Sequence, residues 1–191
     1  MLAKRGFTLI ELVVVVAIIG ILGAVLVPNV TGMIDKANAA KIIAVADSLS
    51  TACAMFHADT GTYAHEYAHT TAYTAENYHA LSFDVGYNGY SGPYIKTPLS
   101  VADNPYGTTT YMYNSTDNWA TSNGGNGFDL NRDGTEDTSG PGNLIVFYGI
   151  PAAVAERVNE AIDGSETNWE QVGQVEFRSN YYLTIYLGGG R

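Results

Sequence analysis

The sequence predicts an α+β protein, with a long N-terminal α-helical stalk packed on an antiparallel β-sheet outer domain. Three observations predict it. From Phe7 to Val27 the only ionisable residue is Glu11. Ile42, Val45, Leu49, Ala52 and Phe56 then recur at alternating steps of three and four, the period of one helix face. Finally, Val172 to Phe177 and Tyr181 to Leu187 read as strands around Ser179-Asn180, a closing hairpin. The 191 residues suit one modest domain plus an appendage.

The first element begins behind a short basic head, Lys4-Arg5-Gly6. As a helix, the run from Phe7 to Val27 would be about 31 Å long, enough to span a bilayer. The basic head holds its own end in the cytoplasm and places the rest of the chain across the membrane. An ordinary secretory signal would offer a small-residue cleavage site after the apolar core. Here the run continues straight through Gly20 and Gly23-Ala24. A plain anchor would not carry Glu11, because a carboxylate deep in the bilayer costs on the order of 3 kcal/mol and normally has a partner.

Pro28 removes a helix hydrogen bond and is expected to bend or loosen the stalk. Beyond it, Met33, Ala37, Ala40 and Ala44 form a second, small-residue stripe nearly opposite the first. One face can pack on the chain's own sheet and the other on neighbouring stalks. The helix is expected over 7–58, transmembrane up to about residue 27, with a globular domain over 59–191.

In that domain, Thr108 to Tyr113 and Leu144 to Tyr148 read as strands. Pro151 can open a short helix through Ile162, ended by Asp163-Gly164. Ser91-Gly92-Pro93 and Asp103-Asn104-Pro105-Tyr106-Gly107 read as turns.

Gly6-Phe7-Thr8-Leu9-Ile10-Glu11-Leu12 resembles the class III signal of type IV prepilins and pseudopilins. The resemblance implies a type IV pilin fold and residues 1–6 as a leader that a prepilin peptidase removes after Gly6. It also implies N-methylation of Phe7 and growth into a homopolymeric filament. Glu11 becomes the fifth residue of the mature chain, where it can pair with the Phe7 ammonium of a neighbouring subunit. Two charges that are costly in the bilayer then neutralise each other, and a mismatched register leaves one bare. Gly6, Phe7, Glu11 and Pro28 are thus the expected processing and assembly residues. The implied partners are an inner-membrane assembly platform and a cytoplasmic ATPase. The subunit would be single-pass in the inner membrane, then part of an extracellular filament or periplasmic pseudopilus. The 103–107 turn is similar to one in major pseudopilins of type II secretion.

The most specific feature of the outer domain is Asp129-Leu130-Asn131-Arg132-Asp133-Gly134-Thr135-Glu136-Asp137. Oxygen side chains stand at positions 1, 3, 5 and 9 of this stretch and glycine at 6, the front of an EF-hand-type calcium loop. Asp129, Asn131, Asp133 and Asp137 are the candidate ligands, with the Thr135 carbonyl. The twelfth position is Gly140, where the full loop has a bidentate Glu, so calcium needs a further carboxylate or Asp137 directly. Magnesium wants fewer protein ligands. The resemblance supports calcium, since major pseudopilins carry a calcium site in a similar region.

Other features read as ordinary. His65 and His69 would share a helix face and could bind zinc, but no third ligand is well spaced. Lone Cys53 excludes an internal disulfide and reads as a small buried residue. The fourteen tyrosines suit strands and wet interfaces. Asn114-Ser115-Thr116 matches a glycosylation triplet and is taken as unmodified. A net charge of −10 opposes nucleic-acid binding. With no phosphate loop or nucleophile elbow, the chain reads as a filament subunit and not an enzyme. The alternatives are a type II secretion major pseudopilin, or a membrane-anchored calcium-dependent adhesin or binding protein.

Overall fold

The computed structural model describes residues 7–115, 127–138, 140–165, 167–178 and 182–189. Helix α1 spans Leu9–Thr60. It is followed by β1 (Glu66–Ala68), β2 (Thr110–Ser115), β3 (Pro141–Tyr148), α2 (Ala152–Ile162), β4 (Val175–Arg178) and β5 (Tyr182–Gly189). The chain divides into two units, Met1–Ala37 and Asn38–Arg191.

In the first unit every side chain described from Phe7 to Leu26 is exposed. Backbone geometry stays helical through Pro28, so the proline does not end α1. The helix needs no tertiary partner to satisfy its backbone, which is what lets such a segment stand in lipid.

The second unit carries the core. Its sheet is antiparallel throughout, with strand order β1-β2-β3-β5-β4. The last strand thus inserts between β3 and β4, and α2 bridges from β3 to the far edge. Along β4 and β5, Val175, Phe177, Leu183 and Ile185 face one way and join Met112, Ile145 and Phe147. Against that face pack Ala39, Ile42, Ala46, Leu49, Ala52, Cys53 and Phe56 of α1, and Val154, Ala155 and Val158 of α2. The apolar stripe is therefore the buried face, except that Val45 is only half-buried and Ala39 and Ala46 fill the seam. Met33, Ala37, Ala40 and Ala44 are all exposed. Cys53 is buried, with its thiol 3.3 Å from the Met112 sulfur.

Helix α1 ends two residues later than expected. The Thr60 hydroxyl donates to Phe56 O at 2.8 Å, and Gly61, at φ +69°, donates its N–H to His57 O. A left-handed glycine closing the last turn is a common helix stop. Strand β3 begins three residues before the expected Leu144. Pro141, Gly142 and Asn143 lack strand propensity, but Asn143 is buried and donates to Ala64 O at 2.7 Å and Tyr113 O at 3.0 Å. Strand β4 starts at Val175, not Val172, because residues before it dock elsewhere. Gly173 N donates to Asp129 O, and Val175 N donates to the Asp163 carboxylate. The expected Ser179-Asn180 turn lies outside the described residues.

The 103–107 turn forms as read. Asn104 is buried, accepts Tyr106 N at 2.9 Å and donates to Thr108 Oγ1 and Tyr148 O. Ser100 and Asp103 cap the short 3-10 turn Val101–Asp103 ahead of it.

Candidate functional site

Two regions carry the sequence-derived candidates, one in each unit. In the first, Thr8 and Glu11 form a capping box. Thr8 donates both its N–H (2.8 Å) and its hydroxyl (2.7 Å) to Glu11 Oε2, while Glu11 N–H donates to Thr8 Oγ1 at 3.3 Å. That arrangement satisfies amides that a helix start otherwise leaves bare. Glu11 is exposed, as are Phe7 and the apolar residues that follow. Its carboxylate thus has an intramolecular partner at hand before any neighbour arrives. Lys4, Arg5 and Gly6 lie outside the described residues.

Length and mean hydropathy alone also qualify Val30–Thr60 as a membrane span, while Leu9–Ala24 counts as a shorter apolar helix. Burial separates them. Ile42, Leu49 and Phe56 take their hydropathy into the outer-domain core, whereas Leu9, Ile10, Ile19 and Leu22 are exposed. Among the described residues, the earlier segment is the one left unpacked, which suits a membrane.

In the second unit, Asp129 to Asp137 folds back on itself. The Asp129 carboxylate is nearly buried, at 6% exposure. Its Oδ1 accepts Arg132 N at 2.7 Å and Asp133 N at 3.2 Å, and its Oδ2 accepts Gly134 N at 2.9 Å. Asn131 Oδ1 accepts Asp133 N, and Asp133 Oδ1 accepts Thr135 N. Asp137 closes the loop by accepting Asn131 N at 2.8 Å and Asn131 Nδ2 at 3.0 Å. Gly134 sits at φ +86°, where a glycine is at ease. Hydrogen bonds from Thr135, its hydroxyl first and then its backbone N–H, hold the exposed Asp133 carboxyl below its usual range.

The loop therefore turns its carboxylate and side-chain amide oxygens, the hard donors that calcium takes, onto its own N–H groups. Among the described residues, however, no group of three or more His, Cys, Asp or Glu could hold a metal ion. Much of the acceptor capacity of Asp129, Asn131, Asp133 and Asp137 is turned onto backbone amides.

Beneath the loop is a residue that sequence reading missed. Along β4, Val175 and Phe177 face the core, so Glu176 faces the opposite side of the sheet. On that side a second apolar cluster, Phe128, Leu144, Val146 and Tyr186, is joined by Leu130. Phe128 and Leu130 flank Asp129, which fixes the loop over this face. Glu176 is 2% exposed, and among the described residues neither carboxylate oxygen has a hydrogen-bond partner. Burial pushes its carboxyl up to about 9; Arg178 opposes the rise, and the nearby charges of Glu136 and Asp129 add to it. In the sequence, Glu176 alternates with apolar neighbours like any outward strand residue, so only its burial marks it.

The histidines do not make a zinc site. They flank the three-residue strand β1 and do not share a helix face. His65 Nε2 lies 2.9 Å from Asn77 O, and His69 Nδ1 accepts Thr71 N and Ala72 N. Seven tyrosines (Tyr67, Tyr73, Tyr78, Tyr111, Tyr113, Tyr148 and Tyr182) form a chain of ring contacts with centroids 4.5–6.1 Å apart. Asn114 is exposed on β2, and Thr116 of its triplet lies outside the described residues.

Residues 1–27 match the family described as the prokaryotic N-terminal methylation motif. Type II secretion system core protein G of Klebsiella michiganensis is 41% identical over 61 residues, covering 32% of this chain and 43% of that protein. The type IV narrow pilus major component PilA5 of Thermus thermophilus is 47% identical over 51 residues, covering 27% and 44%. Type IV major fimbrial protein FimA of Dichelobacter nodosus is 50% identical over 46 residues, covering 24% and 29%. The chain thus spans less than half the length of these curated relatives. No solved structure matches it significantly. The chain's homologues are type II secretion core proteins G and type IV pilins, and its helix-plus-sheet architecture is consistent with the type IV pilin fold.

Proposed function

We propose that this chain is a structural subunit of a type IV pilus or pilus-like filament, polymerising through its N-terminal helix. One observation carries the reading. The exposed apolar segment Leu9–Ala24, which bears the single carboxylate Glu11 capped by Thr8, lies within the methylation motif. Exposed apolar surface of that extent needs lipid or copies of itself. In lipid, Glu11 is held by Thr8; in a filament it exchanges that partner for the Phe7 ammonium of a neighbour. Gly6 is the cleavage point, Phe7 the methylated terminus, and Pro28 the place where the helix has one hydrogen bond fewer to lose. The leader covers 1–6, the membrane segment runs to about residue 27, and the rest lies outside the cytoplasm. A prepilin peptidase, an inner-membrane platform and an ATPase are the implied partners, and no catalytic role is assigned.

The major-pseudopilin reading is the alternative, favoured by the core protein G relatives and by the acidic loop. In either reading calcium stabilises the outer domain, held by Asp129, Asn131, Asp133 and Asp137 with the Thr135 carbonyl. The ion would supply fixed positive charge that draws these oxygens together.

The test is to shear the cell surface and read the N-terminal peptide and intact mass of this chain. Abundant chain starting at methylated Phe7 is the expected result. Processed chain confined to the inner membrane would support the pseudopilus instead. A chain retaining Met1, or cut beyond Val27, would overturn the prepilin reading.

A further inference from the structure

Helix α1 and the segment that begins at Tyr94 enclose a groove of about 450 Å³. Ala44, Val45 and Leu49 line it from the helix, Ile95 and Leu99 from the facing wall, and each wall adds one lysine, Lys41 and Lys96. Both lysines are exposed, and among the described residues neither belongs to a salt bridge. Lys41 Nζ is tethered by donating to Ala102 O at 2.5 Å. The one carboxylate in the lining, Asp103, accepts Ser100 N and Ser100 Oγ. The groove is thus a cationic patch with an apolar floor, on a chain whose net charge is −10. Its complement is a surface that sets two carboxylates among small side chains.

The chain carries such a surface on α2. With Val154, Ala155 and Val158 buried, Ala152, Ala153, Glu156, Glu160 and Ala161 are left exposed. Glu156 and Glu160 are four residues apart, so they share one face of the helix. Neither belongs to a salt bridge among the described residues. Arg157, between them, is half-buried and keeps its Nε inside. The groove and this face stand at opposite edges of the sheet. Helix α2 packs on β4 at one edge. The groove wall is tied toward the other, where Tyr94 N and Ile95 N donate to Leu81 O, and Leu81 N donates to Glu66 of β1. Complementary surfaces on different parts of one subunit make a heterologous contact, which repeats from copy to copy and grows a filament unless its rotation closes a ring. We propose that the Lys41–Lys96 groove of one subunit seats the Glu156–Glu160 face of α2 from a neighbouring copy of the chain. This inference rests on the filament reading and adds to it a lateral contact between outer domains. A lipid phosphate would meet the lysines alone and leave the acidic face of α2 without a partner.

The test expresses the full-length chain in filament-forming cells and measures sheared filament against total chain. Lys41→Glu with Lys96→Glu, and Glu156→Lys with Glu160→Lys, each set like charges against one another. Each pair is expected to lower the yield about fivefold or more, and the chain carrying all four changes should recover to within about twofold of wild type. All four positions are exposed, so the detergent-solubilised variants should melt within about 2 °C of wild type. Lys96→Glu alone replaces the double reversal if loss of the Lys41 tether impairs folding. Engineered cysteines give a direct reading, because native Cys53 is buried. Lys96→Cys combined with Glu156→Cys, or with Glu160→Cys, should give a ladder of disulfide-linked multimers on mild oxidation, and no single variant should. Unchanged yield in both reversals, failure of the fourfold exchange to restore it, or no ladder from either cysteine pair would overturn the contact and leave the filament reading intact. Loss of binding to phosphatidylglycerol vesicles in the lysine variant, with filament yield unchanged, would assign the groove to lipid and overturn the contact as well. A chain that forms no polymer, sheared or crosslinked, would overturn both.

Discussion

Replacing Phe56 by alanine tests whether the second half of α1 belongs to the outer-domain core. Phe56 is fully buried, and its ring meets Tyr87 at 5.0 Å and Tyr94 at 5.5 Å, both edge-on. Truncating a buried phenylalanine costs about 3–5 kcal/mol, the transfer of the ring plus the cavity left behind. The figure belongs at the upper end here, because edge-to-face pairs add about 0.5–1.5 kcal/mol each. For a unit of this size the melting temperature should fall by about 10 °C or more. The assay is thermal unfolding of the full chain in detergent, followed by near-ultraviolet circular dichroism of the tyrosines. Ala44→Leu is the contrast. Ala44 is exposed, so the leucine should change stability by less than about 0.5 kcal/mol while lowering the yield of sheared filament. Equal melting of Phe56→Ala and wild type would refute the assignment of the apolar stripe to the core. Equal destabilisation by Ala44→Leu would refute the two-faced reading of the stalk.

Two further outcomes follow from the buried polar and sulfur groups. Glu66 is fully buried, accepts Leu81 N and Ser82 N, and lies 2.8 Å from His79 Nδ1. Burial holds its carboxyl above the ordinary range against the pull of His79. The folded form therefore holds its proton more tightly than the unfolded chain, so this stability is complete below the ordinary carboxylate range. It is lost as pH rises through the folded value. Glu66→Gln should flatten that fall in melting temperature on the alkaline side; an unchanged pH profile would count against it. Cys53, buried and with its thiol pushed upward by burial, should resist maleimide in the native chain and react once denaturant is added. Rapid native labelling would contradict the packing against Met112.

Whatever repeats along the chain at a fixed period was legible before any coordinates. The apolar N-terminal segment announces itself because twenty uncharged positions around one carboxylate suit a bilayer and not water. The buried face of α1 follows from steps of three and four, and the start and stop of α2 follow from Pro151 and Asp163-Gly164. The residues proposed for processing and assembly stood out because Gly6, Phe7 and Glu11 lie within six consecutive positions. The acidic loop was legible because its candidate oxygens also lie within one short stretch.

Residues whose meaning depends on a distant partner could not be read this way. Asn143 looks like a turn residue until Ala64 and Tyr113 accept its amide. Glu66 sits between two histidines that invite a metal, yet its partner is a third, His79, thirteen residues on. Glu176 is one polar residue in an alternating strand, and nothing in its neighbours distinguishes solvent from the underside of a loop. The sequence by itself determined the elements and their apolar faces, because those are set by periodicity within a few turns of chain. Only the tertiary structure decided which polar groups are buried, because burial depends on what another part of the chain lays over them.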